Sequence, residues 1–396
     1  MSVIRNIFGS RYRTLATLTG PRDAIQAVSF SVDGIFVSAS GYGGITIWEL
    51  ATSSTVSTPH LPYDPKNGSH VYSSSAWLYF EGTQKHIFIV GNMAGQIFLW
   101  SFDTHQKVCI HLVQSQRVDS DNTHQVMSVD VYEHSIVPGS AGHIVTSTDD
   151  RQHLVSVWTL TSDLQLSRVF NVKLPVDFIP RIVTFAKGTQ NVYAFSKKGG
   201  SFLQLQALTG ELAWVKKDGP KEMHFVSVDE RNDCFAAWTG QRAEVFKLSN
   251  SEYVKTFENE VSLVGNTKQV IFGEDGTRLM VGTDHGLVEV FGVESGQLLQ
   301  RLPYHRKALV QYVTTLTIPS AHLVAIAGST KGQPADVVVF KRKHHAPRSH
   351  STSGHKDDNL VFSIPITRRG LRLVAYLLIC SAAVYVLVWH LSILFY

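Results

Sequence analysis

The 396-residue sequence is short of several features that would each point to a class of protein. It holds only three cysteines, Cys109, Cys234 and Cys380. An odd count without paired spacing excludes a disulfide framework and a cysteine-rich zinc site, so buried inert thiols are expected. The first twenty residues carry no long apolar run, and no secretory signal is expected. There is no Gly-x-Ser-x-Gly elbow, no His-Glu-x-x-His, and no glycine-rich loop leading through Lys-Ser/Thr into a helix. Accordingly no catalytic residue, cofactor, resident metal or small-molecule substrate is expected, and the chain reads as a binding protein rather than an enzyme.

Charge of either sign is absent from residues 373–396, GLRLVAYLLICSAAVYVLVWHLSILFY being the last 27 residues. Twenty-four residues in a helix span about 36 Å, enough to cross a hydrocarbon core of roughly 30 Å with some tilt. The segment is apolar all round, unlike a surface helix. Arg368, Arg369 and Arg372 precede it, which by the positive-inside rule puts the N-terminal bulk in the cytosol. Trp389 and Tyr396 suit the far interface, and His390 reads as a neutral imidazole there. The expectation is a single-pass tail anchor over 371–396. A long apolar span with no basic cluster after it suggests the endoplasmic reticulum.

Net charge needs locating before it is interpreted. Between 341 and 372 there are eight basic residues and two acidic ones, a surplus of six. The whole chain nets +4, so the first 340 residues net −2. The basic balance therefore sits in the tail, and a nucleic-acid-binding domain, which would carry its own basic face, is not expected. Residues 341–370 read as a flexible basic linker, spanning roughly 30 Å end to end. Its histidines, His344, His345, His350 and His355, read as solvated. Ser349, Ser351 and Ser353 are candidates for phosphorylation, which would subtract charge beside an anionic leaflet.

The first 340 residues show a repeat. AIQAVSFSVDGIFVSASGYGGITIWEL, residues 24–50, alternates apolar and polar residues in three runs separated by turn residues, the signature of antiparallel sheet. The layout recurs near 76–102, 124–160, 181–206, 224–248, 268–293 and 310–340. This resembles the WD40 repeat, with Trp48-Glu49 in place of Trp-Asp and Trp100, Trp158, Phe246 and Phe291 at the same place in later units. The resemblance implies an all-β, seven-bladed propeller over 11–340. Its last blade would be completed by an N-terminal strand, Leu15 to Leu18, which removes two open sheet edges. The His–Ser–Asp–Trp network of the family is not expected, because Gly43, Ala94 and His285 stand where its Asp would be.

In such a propeller the loops between strands two and three, and between blades, gather on one face. That face would display Tyr42, Met93, Lys197, Lys198, Trp238 and His285, whose aromatic, Met and Lys side chains suit protein contacts. GSTKG, residues 328–332, reads as a blade loop lacking the helix that would help hold a phosphate. Asp149 and Asp150 adjoin on a loop and point apart. The sequence is thus read as a membrane-anchored scaffold that captures a cytosolic protein. The alternative is a nucleotide-exchange factor for the small GTPase that starts coat-protein-II assembly, which the propeller-plus-anchor layout also resembles. Those factors use a lysine-bearing loop in an early blade; here the similar string, with Lys331, falls in the last.

Overall fold

A computed structural model describes residues 11–58, 68–103, 108–117, 125–149, 153–263, 265 and 267–344. These belong to one compact unit ending at Ala346. The expected anchor, with Arg368, Arg369, Arg372, Trp389 and Tyr396, lies outside the described residues, as do Cys380 and most of the linker. Among the described residues no helix is long and apolar enough to cross a membrane.

The chain folds into a seven-bladed β-propeller. Blade one consists of Ile25–Phe30, Phe36–Gly41, Gly44–Glu49 and Ser54–Thr55. The remaining blades begin with Tyr72–Phe80, Gln125–Val131, Pro180–Phe185, Phe225–Asp229, Val270–Gly273 and Tyr312–Ile318. Successive strands of a blade pair antiparallel and step outward, so these seven first strands line a common central channel. Blade two gains a fifth, two-residue strand, Ser135–Ile136, which lies parallel to Tyr72–Phe80.

Each blade buries both faces against its neighbours, and the apolar side chains divide into seven clusters, one between each adjacent pair. A sheet covered on both faces needs near-continuous apolar strands. Accordingly Phe36–Gly41 and Ala321–Ala327 are buried throughout. Trp48, Trp100, Trp158, Phe246 and Phe291 are all buried on third strands, as the repeat spacing predicts. The cluster between blades seven and one joins Leu18, Val28 and Trp48 to Leu323, Val337 and Val339. It closes the ring.

Closure uses the N-terminal strand. Arg13–Thr19 pairs antiparallel with Asp336–Lys343, supplying the outermost strand of blade seven. The register corrects the expected linker boundary. Lys341, Arg342 and Lys343 continue the third strand, paired with Leu323, His322 and Ala321. Their alternation with the apolar run before them is masked in the sequence by their charge. Arg342 also reaches the buried Glu274 of blade six, which accepts a 2.6 Å hydrogen bond from Tyr12 Oη. One carboxylate thereby ties both ends of the propeller to the neighbouring blade.

Polar ties of other kinds occur inside the blades. Trp158 Nε1 donates to Thr146 Oγ1 at 3.1 Å. In blade six the carboxylate is Asp284, one residue before His285, and it lies 2.8 Å from Lys268 Nζ with both side chains buried. The blades therefore rely on some internal polar bonds as well as apolar packing.

His322, beside Arg342 and the His344 ring at 4.5 Å, is held below its usual value, mainly by burial. Thr317 Oγ1 lies 3.0 Å from its Nδ1. The folded state then binds fewer protons than the unfolded chain, so stability falls as pH drops below about 6.5. Thermal unfolding between pH 7.5 and 5 should show a decline that a His322→Gln chain largely lacks; equal declines would remove His322 from the account.

Candidate functional site

Because strand direction alternates, the turns between second and third strands and the connections between blades lie at one end of the propeller. Turns of four blades are stitched to the connection leading into the blade. Tyr42 N–H donates to Ala24 C=O at 3.0 Å, Met93 to Val71 at 2.9 Å, Lys197 to Ile179 at 2.8 Å and Ser329 to Leu309 at 2.8 Å. Short polar side chains shape the turns themselves. Asn92 Oδ1 accepts from the N–H groups of Ala94 and Gln96, and Thr283 Oγ1 donates to Leu287 C=O while accepting from His285 N–H. Such side-chain bonds satisfy backbone groups that a turn leaves without a ladder partner.

The residues expected on this face divide. Lys198 and His285 are exposed, and Tyr42, Met93 and Lys197 are half-buried. Trp238 is not on the surface. It ends the strand Cys234–Trp238, is fully buried, and lies under Lys268 Nζ at 4.9 Å from the ring centre. Its place at the strand end put it beside the loop in sequence, but its side chain points into the cluster between blades five and six.

GSTKG connects strands two and three of blade seven, with no helix after it. Ser329 and Thr330 hydroxyls accept from Gln311 and Leu309 N–H, and Gly332 N–H donates to Asp23 at 2.6 Å. Lys331 Nζ sits 4.5 Å over the Tyr42 ring. The loop therefore serves the seam between blades seven and one. A cation–π contact of this exposed kind contributes about 0.5–1 kcal/mol.

The most exposed apolar residues of the same face were not singled out by sequence reasoning. Val176 is 78% exposed, Val261 81% and Leu263 66%. Val176 lies between blades three and four, Val261 and Leu263 between blades five and six. The latter connection is held out by specific bonds: His285 Nε2 lies 2.9 Å from Val261 C=O, and Asp284 Oδ2 accepts from Leu263 N–H at 2.9 Å and Ser262 Oγ at 3.2 Å. The signal was the ENEVSLVG string, which lacks the alternation of a strand.

The channel that opens at this face encloses about 720 Å³. Its wall is mostly neutral and polar, with Gln26, Ser73, Gln125, Gln269 and Tyr312 at the residues nearest the loop end. Arg181 projects from Pro180–Phe185 into it. Its Nε donates to His224 C=O at 3.0 Å and its Nη1 lies 3.7 Å from Met127 Sδ. Burial pulls this guanidinium below its ordinary value, with Tyr312 and Asp149 acting in the opposite sense, and it stays protonated at any physiological pH. At the rim, His224 Nε2 lies 3.0 Å from Glu222 and holds that carboxylate below its usual range.

Cys234 is a free, buried thiol pushed up to about 11 by burial, with Asp229 adding to the rise. Among the described residues no group of three or more His, Cys, Asp or Glu could hold a metal ion. No family model matches the chain, and no curated protein matches it.

Proposed function

We propose that the chain is a divergent WD40-type scaffold that captures a protein partner on its loop face and is held at a membrane by its apolar tail. The observation that carries this reading is the trio Val176, Val261 and Leu263. Large apolar side chains held this far into solvent, on the same face as Tyr42, Met93, Lys197, Lys198 and His285, suit contact with a protein partner. The uncharged run 373–396, preceded by Arg368, Arg369 and Arg372, supports a single-pass anchor in the endoplasmic reticulum with the propeller cytosolic. The third strand of blade seven runs away from the loop face, so Lys343 leaves at the opposite end. That direction suits a scaffold whose tail and contact face serve different tasks.

The test is affinity purification of the full chain from gently solubilised membranes beside a Val261→Asp/Leu263→Asp chain, with mass spectrometry of what is retained. A reproducible partner should fall at least tenfold in the double variant, on the scale of one contact residue worth more than about 1 kcal/mol at each position. The same partners at the same yield would overturn the loop-face reading. A small GTPase in the eluate, with nucleotide release accelerated by wild type and not by Lys331→Ala, would replace it with the exchange-factor reading.

A further inference from the structure

Arg181 has no evident structural task. A guanidinium carries five N–H donors. Two of them reach His224 C=O and Met127 Sδ, the second only as a weak contact. The other three have no partner among the described residues, and no carboxylate there lies within ion-pair distance. The acidic groups of the channel wall are committed elsewhere. Asp130 accepts from Thr184 Oγ1 and Phe185 N–H, Asp229 from Asn232, Glu274 from Tyr12 and Arg342, and Asp275 from Arg231. A half-buried guanidinium with free donors and no ion-pair partner, set in the channel wall, is placed to take up an anion. A propeller could fill this position with a neutral residue, as Gln26, Ser73 and Met127 do in the first strands of blades one to three.

Resting on the loop-face reading above, we infer that Arg181 receives a carboxylate side chain of an acidic peptide inserted into the channel mouth. Three features favour a peptide over a free ion. A volume of about 720 Å³ exceeds what a small ion needs. The channel lining includes Gln, Ser, Thr and Tyr, which can bond peptide groups without adding charge, beside the apolar Met127 and Phe225. Finally, Val176, Val261 and Leu263 on the same face suit the apolar side chains that flank an acidic residue in a polypeptide and have no use for an inorganic anion. The bond from Nε to His224 C=O fixes the plane of the fork, which leaves Arg181 set for a two-point carboxylate contact.

The experiment titrates the full chain in detergent with a capped Ser-Gly-Glu-Gly-Ser peptide, with the glutamine version of that peptide, and with inorganic phosphate, reading the thermal midpoint Tm and heat of binding. The expected result is a saturable Tm rise with the glutamate peptide, at least tenfold weaker binding of the glutamine peptide, and loss of the rise in Arg181→Met. Arg181→Lys should bind severalfold more weakly, since it keeps the charge and loses the fork. Without peptide, Arg181→Met should melt close to wild type, because the half-buried guanidinium makes no ion pair and one backbone hydrogen bond. A response to phosphate alone, an undiminished response in Arg181→Met, no response to the glutamate peptide, or a Tm several degrees lower in Arg181→Met would each overturn the inference. The titration needs no natural partner, so it can fail while capture through Val261 and Leu263 holds, and the reverse.

Discussion

Asp284→Ala should cost about 3–5 kcal/mol of stability, the usual penalty for removing one partner of a buried ion pair. Asp284 and Lys268 meet at 2.8 Å with both side chains almost wholly out of solvent. Lys268 would keep its contact with Ser262 Oγ at 2.5 Å but lose the carboxylate that offsets its desolvation. Gln311 Nε2, which donates to Asp284 Oδ1 at 2.9 Å, would lose its acceptor as well. Replacing both charges, Lys268→Met with Asp284→Leu, should recover most of the loss, since an apolar pair of similar volume often substitutes for a buried ion pair at little cost. The two chains separate stability from shape. Both lack the acceptor for Leu263 N–H and Ser262 Oγ, so the Val261–Leu263 connection loses its support in each. Denaturant unfolding checks the first effect, and partner capture by the double variant checks the second. A single variant as stable as wild type would refute the argument.

Glu274→Ala should cost a similar amount, about 3–5 kcal/mol, and should act on closure. Glu274 is 3% exposed at its side chain and meets Arg342 and Arg278, the latter at 3.4 Å, besides Tyr12. Tyr12 is held well above its ordinary range by burial and by this carboxylate, so its hydroxyl remains a donor at any working pH. Without Glu274 the hydroxyl and the guanidinium face each other with no acceptor between them. Backbone amides of Arg13–Thr19 should then exchange with solvent faster than those of Val192–Ser196, a strand distant from the seam. Uniform loss of protection across all blades would show that the carboxylate supports the ring generally and not its seam.

Much of the fold was legible because a propeller repeats its logic. Period-two runs, turn residues at short spacing, and an aromatic at one place in five of the third strands pointed to the blade count and the closing strand Arg13–Thr19. The departures from the sequence-based expectation have separate physical causes. Lys341–Lys343 look like linker because their charge hides that a strand at the ring's edge can continue past its apolar core. Asp284 was passed over for His285 because a turn's register cannot be fixed to one residue by pattern alone. Trp238 closes its strand, and strand alternation decided between core and surface in favour of core. Arg181 did carry a signal. It is the one basic residue within the seven channel-lining strands, at a position whose alternation with Ile182 faces the channel. The ENEVSLVG string marks a connection, but the exposure of Val261 and Leu263 depends on distant bonds from Asp284 and His285.

The closing strand also decides how the molecule would bear a load. Asp336–Lys343 is flanked on both edges, by Arg13–Thr19 on one side and Ala321–Ala327 on the other. A pull transmitted through whatever follows His344 would run along this strand and stretch both ladders lengthwise. All their hydrogen bonds would then resist together in shear, where an outermost strand pulled from its free edge would part bond by bond. Because Arg342 is also clasped to blade six through Glu274, the force would spread into a second blade before the first could open. Asp336–Lys343 is thus better protected against a lengthwise pull than an outermost strand would be.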